Sequence, residues 1–142
     1  VNEVPHHLQS KGIIVRIDRR GRIKSYTTKH DGAWFSASPR EFGNFTLVLD
    51  TVAPKIKPYN FAPNGSIAGK RELKLNATDD LSGIVSYRAT IDGKWVLLSY
   101  DYKNNLFIYT LDERCPAGEH NFEMVVTDDA GNAATYTCTF KN

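Results

Sequence analysis

Residues Glu72 to Thr78, ELKLNAT, alternate Leu73, Leu75 and Ala77 with Glu72, Lys74, Asn76 and Thr78. A period of two puts the apolar side chains on one face of an extended chain, the mark of a half-buried strand. The same alternation recurs between turn signals about every 8–12 residues, whereas a helical period never lasts three turns. A chain patterned in this way buries its apolar faces by stacking sheets, so the fold class is all-β.

The carboxyl-terminal part carries most of the signal. Strands are predicted at Lys55 to Phe61, Glu72 to Thr78, Ile84 to Ile91, Trp95 to Asp101, Leu106 to Leu111, Asn121 to Thr127 and Ala133 to Phe140. Val85, Tyr87, Ala89 and Ile91 share one face of the third of these. Asp92-Gly93 tolerates positive φ and marks a hairpin, and Cys115-Pro116-Ala117-Gly118 interrupts the pattern. Seven short strands over residues 51–142 point to an immunoglobulin or fibronectin type III-like sandwich, without the Cys-Trp-Cys framework of antibody domains.

Residues 1–50 read as a separate, smaller unit. Gly12 to Asp18, Arg22 to Thr28, Ala33 to Ala37 and Asn44 to Asp50 form four predicted strands, with Leu49 to Pro54 as the linker that ends them. Four strands of this length make a thin sheet with a poor core, so the unit is either the back half of a larger β-domain or a module leaning on its neighbour.

Charge is nearly balanced, 18 basic against 16 acidic side chains, which gives no electrostatic case for nucleic acid or a membrane surface. No run is apolar over the roughly 18 residues of a spanning helix, so a soluble chain is expected. The first residue is Val1 and no signal peptide is evident, which suggests a mature secreted chain or a segment of a longer one. Arg16, Arg19, Arg20, Arg22 and Lys24 concentrate positive charge, but no aromatic residues interleave with the arginines, and a solvated hairpin is the expectation.

Few residues suggest chemistry. His6 and His7 are adjacent, His30 precedes Asp31, and His120 begins a strand, so no pair has metal-ligand spacing and no catalytic set is assigned. Cys115 and Cys138 are a candidate disulfide or two buried free thiols, and a count of two favours the thiols only weakly. Trp34, Trp95, Tyr100 and Tyr102 are candidate ligand-contact aromatics, although packing between sheets or modules is the expected role. NATDDLSGIV and VVTDDAGNAA rhyme, each placing Thr-Asp-Asp before a glycine-bearing turn. Alternating strand directions bring both turns, the 101–105 turn and the linker to one end, gathering Asp50, Asp79, Asp80, Asp101, Asp128 and Asp129 at the junction of the two units. Calcium is one use for such a cluster, but neither stretch fits the Asp-x-Asp-x-Asp-Gly loop. Local turn closure by aspartate oxygens is the simpler reading, with no cofactor required.

The stretches EFGNFTLVLDTVAPKIKP, SGIVSYRATIDGKW and AGEHNFEMVVTDDAGN resemble the non-catalytic, carboxyl-terminal β-rich region of secreted bacterial zinc metallopeptidases of the lysostaphin-like, peptidoglycan-cleaving family. SGIVSYRATIDGKW is the most specific of these, since VTDDAGN recurs in many bacterial immunoglobulin-like domains. The resemblance implies an accessory region acting as spacer, positioning element or cell-wall binder, located outside the cytoplasm or at the cell surface. Its partners would be an upstream peptidase domain of the same chain and peptidoglycan or another wall glycan. The family's zinc ligands, in His-x-x-x-Asp and His-x-His patterns, are absent here, so catalysis would reside in another domain. A cell-surface adhesion or glycan-binding sandwich unrelated to peptidoglycan is the alternative.

Overall fold

The computed structural model describes residues 4–142. Val1 to Glu3, the start of the predicted first unit, lie outside the described residues. A short 3-10 turn, His6–Lys11, leads into β1 (Gly12–Ile17), followed by β2 (Ile23–Tyr26), β3 (Lys29–Asp31), β4 (Trp34–Ser36) and β5 (Asn44–Leu49). Then come β6 (Lys55–Pro58), β7 (Glu72–Thr78), β8 (Ile84–Ile91), β9 (Lys94–Val96), β10 (Ser99–Asp101), β11 (Leu106–Thr110), β12 (Glu119–Asp128) and β13 (Ala133–Lys141).

Strands β6 to β13 form two four-stranded antiparallel sheets, ordered β10-β11-β7-β6 and β13-β12-β8-β9. Written from first strand to last as A to G, with the extra strand as C′, these are the ABED and GFCC′ sheets of an immunoglobulin-like sandwich. The expected all-β sandwich is therefore present. Its eighth strand arises because the predicted Trp95–Asp101 strand is two: β9 pairs with β8 in one sheet, and β10 pairs with β11 in the other. The crossover at Leu97 and Leu98 buries Leu98 and leaves Leu97 in solvent.

Alternation places the core. Leu73, Leu75 and Ala77 of β7 and Phe122, Met124 and Val126 of β12 are fully buried, packed with Ile91, Phe107, Tyr109 and Phe140. β8 departs from its predicted face: Ala89 and Ile91 are buried, whereas Val85 is exposed and Tyr87, although partly in solvent, packs edge-on against Tyr100 and Phe107 of the facing sheet. Buried Tyr109 donates its hydroxyl to Asp112 Oδ1 at 2.5 Å, pinning the loop that leaves β11.

The first unit differs from the expected four-stranded sheet. β1 is central to a three-stranded sheet, β2-β1-β5, while β3 and β4 pair only with each other as a separate hairpin. The Gly32-Ala33 turn, with Gly32 at φ +57°, closes β3 onto β4, and neither strand pairs with β1, β2 or β5. The basic hairpin carries its own counter-charges: Asp18 Oδ2 accepts from Arg22 Nε at 2.6 Å, and Glu41 pairs with both Arg16 and Lys24. The unit has little core of its own, and Ile13 and Val15 of β1 bury themselves instead against Leu81 and Ala130 of the sandwich.

Candidate functional site

The two rhyming stretches are the β7–β8 and β12–β13 turns, and they use equivalent residues for equivalent work. The first aspartate of each pair folds inward. Asp79 Oδ2 accepts the backbone N–H groups of Leu81 at 3.1 Å and Gly83 at 2.7 Å. Asp128 Oδ1 accepts the N–H of Asn132 at 2.7 Å, and its Oδ2 accepts from Asn132 Nδ2 at 2.8 Å. Gly83 and Gly131, at φ +85° and +72°, supply the left-handed residue each turn needs. Asp128 continues the buried face of β12 after Phe122, Met124 and Val126 and is only 1% exposed, while the β12–β8 register shift beside it leaves Val85 of β8 as the unpaired residue. The residue after each acidic pair, Leu81 or Ala130, meets Ile13 and Val15. The two turns are joined directly, Asp129 donating its N–H to Gly83 O at 3.0 Å.

Asp50, 3% exposed, enters from the linker. Its Oδ1 accepts from Val52 N–H at 3.2 Å and its Oδ2 from Ser82 N–H at 3.0 Å. Its carbonyl accepts from Asn132 Nδ2 at 3.0 Å, and its N–H donates to Lys11 O at 2.8 Å. Lys11 in turn reaches across the junction to donate from Nζ to Ala130 O at 2.9 Å. One carboxylate oxygen from each of Asp50, Asp79 and Asp128 lies within 4.8 Å of the other two. Their donor type suits a hard cation such as calcium, but three carboxylates fall short of its six to eight oxygens. The amide hydrogen bonds already made describe a different task, satisfying part-buried N–H groups of the linker and of the two turns.

Three of the six predicted junction acids are thus brought together, and three are not. Asp80 points outward and its Oδ2 bonds Lys55 Nζ at 2.6 Å. Asp129 contributes through its backbone. Asp101 closes its own hairpin: Oδ1 accepts from Lys103 N–H, and Oδ2 from Asn104 Nδ2 at 2.7 Å. These bonds hold the Asp101 carboxyl below its usual range, the Asn104 side chain being the main cause. Asn132, Ser82 and Lys11 were missed at the sequence level. The Asp-x-x-x-Asn spacing of DDAGN was the available signal for Asn132.

The aromatic candidates separate as well. Trp34 and Trp95 are 82% and 53% exposed, so neither packs between sheets or modules as expected; β4 sits in a two-stranded hairpin, and the sheet switch after β9 leaves Trp95 on an open edge. Tyr100 instead stacks parallel on buried Phe107, ring centres 4.1 Å apart, and Tyr102 lies 4.0 Å from Tyr100 with its ring 76% exposed. A cavity of about 310 Å³ opens between these tyrosines and the Thr78–Ile84 turn.

Elsewhere, His120 Nδ1 and Nε2 bond Asp92 Oδ2 and Pro116 O, both at 2.7 Å, so this buried histidine is fully engaged in tying the β8–β9 turn to β12. Cys115 and Cys138 are free thiols. Asn142 Nδ2 bonds Cys115 O, and four residues of strand, about 13 Å, separate Asn142 from Cys138, whereas disulfide Cα atoms lie within about 7 Å. Burial raises both thiols above their ordinary range.

Comparison with known proteins bears on the fold. No family model matches the chain. No curated protein matches it either. Among solved structures, the endo-β-1,4-mannanase from Thermotoga petrophila is similar at TM-score 0.53 and 14% identity, over 65% of this chain. Fibronectin(III)-like modules of Clostridium thermocellum CbhA align at TM-score 0.49 and 17% identity, over 89% of this chain. The chain spans 20% of the length of the mannanase and 58% of that of the CbhA modules.

Proposed function

We propose that this chain is a non-catalytic accessory region of a secreted bacterial enzyme of the cell envelope, and that the enzyme is a peptidoglycan-cleaving zinc metallopeptidase whose catalytic domain is a separate part of the protein. Residues 1–50 and 51–142 are its two β units. The observation that carries this reading is the junction itself. Asp50 accepts from Ser82, Asn132 reaches back to Asp50, and Lys11 spans to Ala130, so the linker is bonded at Asp50 to both turns and the chain before it is bonded at Lys11. Such a joint transmits orientation, which a flexible tether does not. A positioning element needs that property, and the likeness of the SGIVSYRATIDGKW region supplies the peptidase connection. Its setting is outside the cytoplasm: secreted, periplasmic or at the cell surface.

The gene segment encoding the residues before Val1 tests the peptidase assignment, which fails if no His-x-x-x-Asp and His-x-His set is found there. Pull-down of the 142-residue chain on purified peptidoglycan, beside a panel of soluble glycans, tests what the region contacts. Retention on peptidoglycan favours positioning by binding, and retention on neither favours a spacer. A second reading, a glycan-contacting module independent of peptidoglycan, draws on exposed Tyr102 at the mouth of a cavity. The mannanase of similar fold acts on a β-1,4-linked polysaccharide, which is compatible with that reading.

A further inference from the structure

We infer that the cavity between the β7–β8 turn and the β10–β11 hairpin is a subsite for one neutral hexopyranose unit of a polysaccharide chain, with Tyr102 as the stacking platform. A pyranose ring offers an apolar C–H face ringed by hydroxyls. Its receptor must therefore combine a flat apolar surface with polar groups converging on the edge. Tyr102 and Tyr100 are among the residues that line the cavity, together with Thr78, Asp79 and Asn105, which carry a hydroxyl, a carboxylate and an amide. At about 310 Å³ it lies at the small end of ligand pockets, which run from about 300 to 1,000 Å³, so it suits a single ring.

The platform is held before any ligand arrives. Phe107 is buried in the core, Tyr100 stacks on it at an interplanar angle of 7°, and Tyr102 leans on Tyr100. The backbone beneath is fixed by Asp101, which accepts from Lys103, Asn104 and the Asn104 amide. From the other side, Asn76 Nδ2 donates to the carbonyls of Asn104 and Asn105. An exposed aromatic ring this well fixed loses little conformational freedom on binding. On the facing rim, Asp79 is oriented by Leu81 and Gly83 N–H groups.

Charge selects among sugars. Asp79 lines the cavity beside Asp50 and Asp128, and no lysine or arginine is among its lining residues. Uronic acids and other anionic units are disfavoured there by like-charge repulsion. Neutral hexoses and N-acetylhexosamines share the chemistry that remains. A larger hollow of about 580 Å³, over Thr90, Glu123, Thr137 and Thr139, offers polar groups without an exposed aromatic wall.

This inference deepens the glycan-contacting reading and does not depend on the peptidase one. The test is an NMR titration of the 142-residue chain with four hexasaccharides: cello-, manno- and N-acetylglucosamine oligomers, and galacturonate. At least one neutral oligomer should shift resonances of Tyr100, Tyr102 and Asn105, with galacturonate much weaker. The N-acetylated arm separates a peptidoglycan-like source from a plant- or storage-polysaccharide source. Tyr102→Ala should weaken binding about tenfold or more, Tyr102→Trp should retain it, and Trp95→Ala should leave it unchanged. Asn105→Gly, which keeps the positive φ of 53°, should weaken it without altering the fold. No shifts at about 10 mM ligand, equal binding of galacturonate, or affinity indifferent to Tyr102→Ala would overturn the subsite. Retention on peptidoglycan together with any of these would leave the accessory reading standing alone.

Discussion

Ser82 donates its backbone N–H to the carboxylate of Asp50 at 3.0 Å, across 32 residues of sequence. With Asn132 donating to the Asp50 carbonyl, this places a linker residue at the centre of both Asp-Asp turns. The junction combines these hydrogen bonds with the apolar contact of Ile13 and Val15 on Leu81 and Ala130, and its weaknesses follow from both.

Asp50→Ala should destabilise the chain by about 1–2 kcal/mol, since it leaves the part-buried Ser82 N–H and the Val52 N–H without their acceptor. Urea denaturation reads the loss. Asp50→Asn keeps one acceptor oxygen and should recover part of it. An Asp50→Ala midpoint equal to that of the parent would remove the junction lock from the proposal.

Divalent cations provide a second check on the same three acids. If Asp50, Asp79 and Asp128 serve as hydrogen-bond acceptors, the melting midpoint is the same in excess EDTA and in millimolar calcium. A midpoint that climbs with calcium concentration, as ligand linkage requires, would reassign them as cation ligands. Asp128→Asn would then abolish the climb.

Ile13→Ala should cost about 2–4 kcal/mol, because Ile13 is one of the few residues that bury the first unit against Leu81 and Ala130. Hydrogen exchange should show the loss locally. Amides of β1, β2 and β5 lose protection, while those of β12, in the larger core, keep it. Uniform loss over both units would mean that they unfold as one.

The His120–Asp92 pair predicts a pH profile. The Asp92 carboxylate raises His120 above its ordinary 6.5, outweighing burial, with the Pro116 carbonyl assisting. The Asn121 N–H, then His120, lowers Asp92 below 3.8. The histidine's contribution is full below pH 6.5 and is lost as pH rises through its raised value. The aspartate's is full above pH 3.8 and is lost as pH falls through its lowered value. His120→Gln should therefore cost more near pH 5.5, about 1–2 kcal/mol, than near pH 8.5. A cost independent of pH would show that His120 acts by packing alone.

Much of the architecture was legible because it rests on short-range rules. The alternation of Glu72–Thr78 matches the burial of β7 residue by residue, and Asp92-Gly93, at φ +50° and +75°, turns where its chemistry requires. Trp95–Asp101 misled because both faces of that segment are apolar, so period two could not show that the chain changes sheets at Leu97 and Leu98. Within each Asp-Asp pair only the first acid turns inward: Asp79 and Asp128 accept backbone N–H groups of their own turns, whereas Asp80, one residue on, faces Lys55 in solvent.

The sequence by itself determined the all-β class, all but one of the sandwich's seven predicted strands, and the turn-closing role of its aspartates, because backbone dihedrals, side-chain period and Asx-type hydrogen bonds are settled within a few residues. Only the tertiary structure decided which acids meet, that β3 and β4 pair only with each other, and that Tyr102 borders the cavity beside the β7–β8 turn. Those outcomes depend on sheet order and on contacts such as Asn132 to Asp50, 82 residues apart, for which no local pattern carries the information.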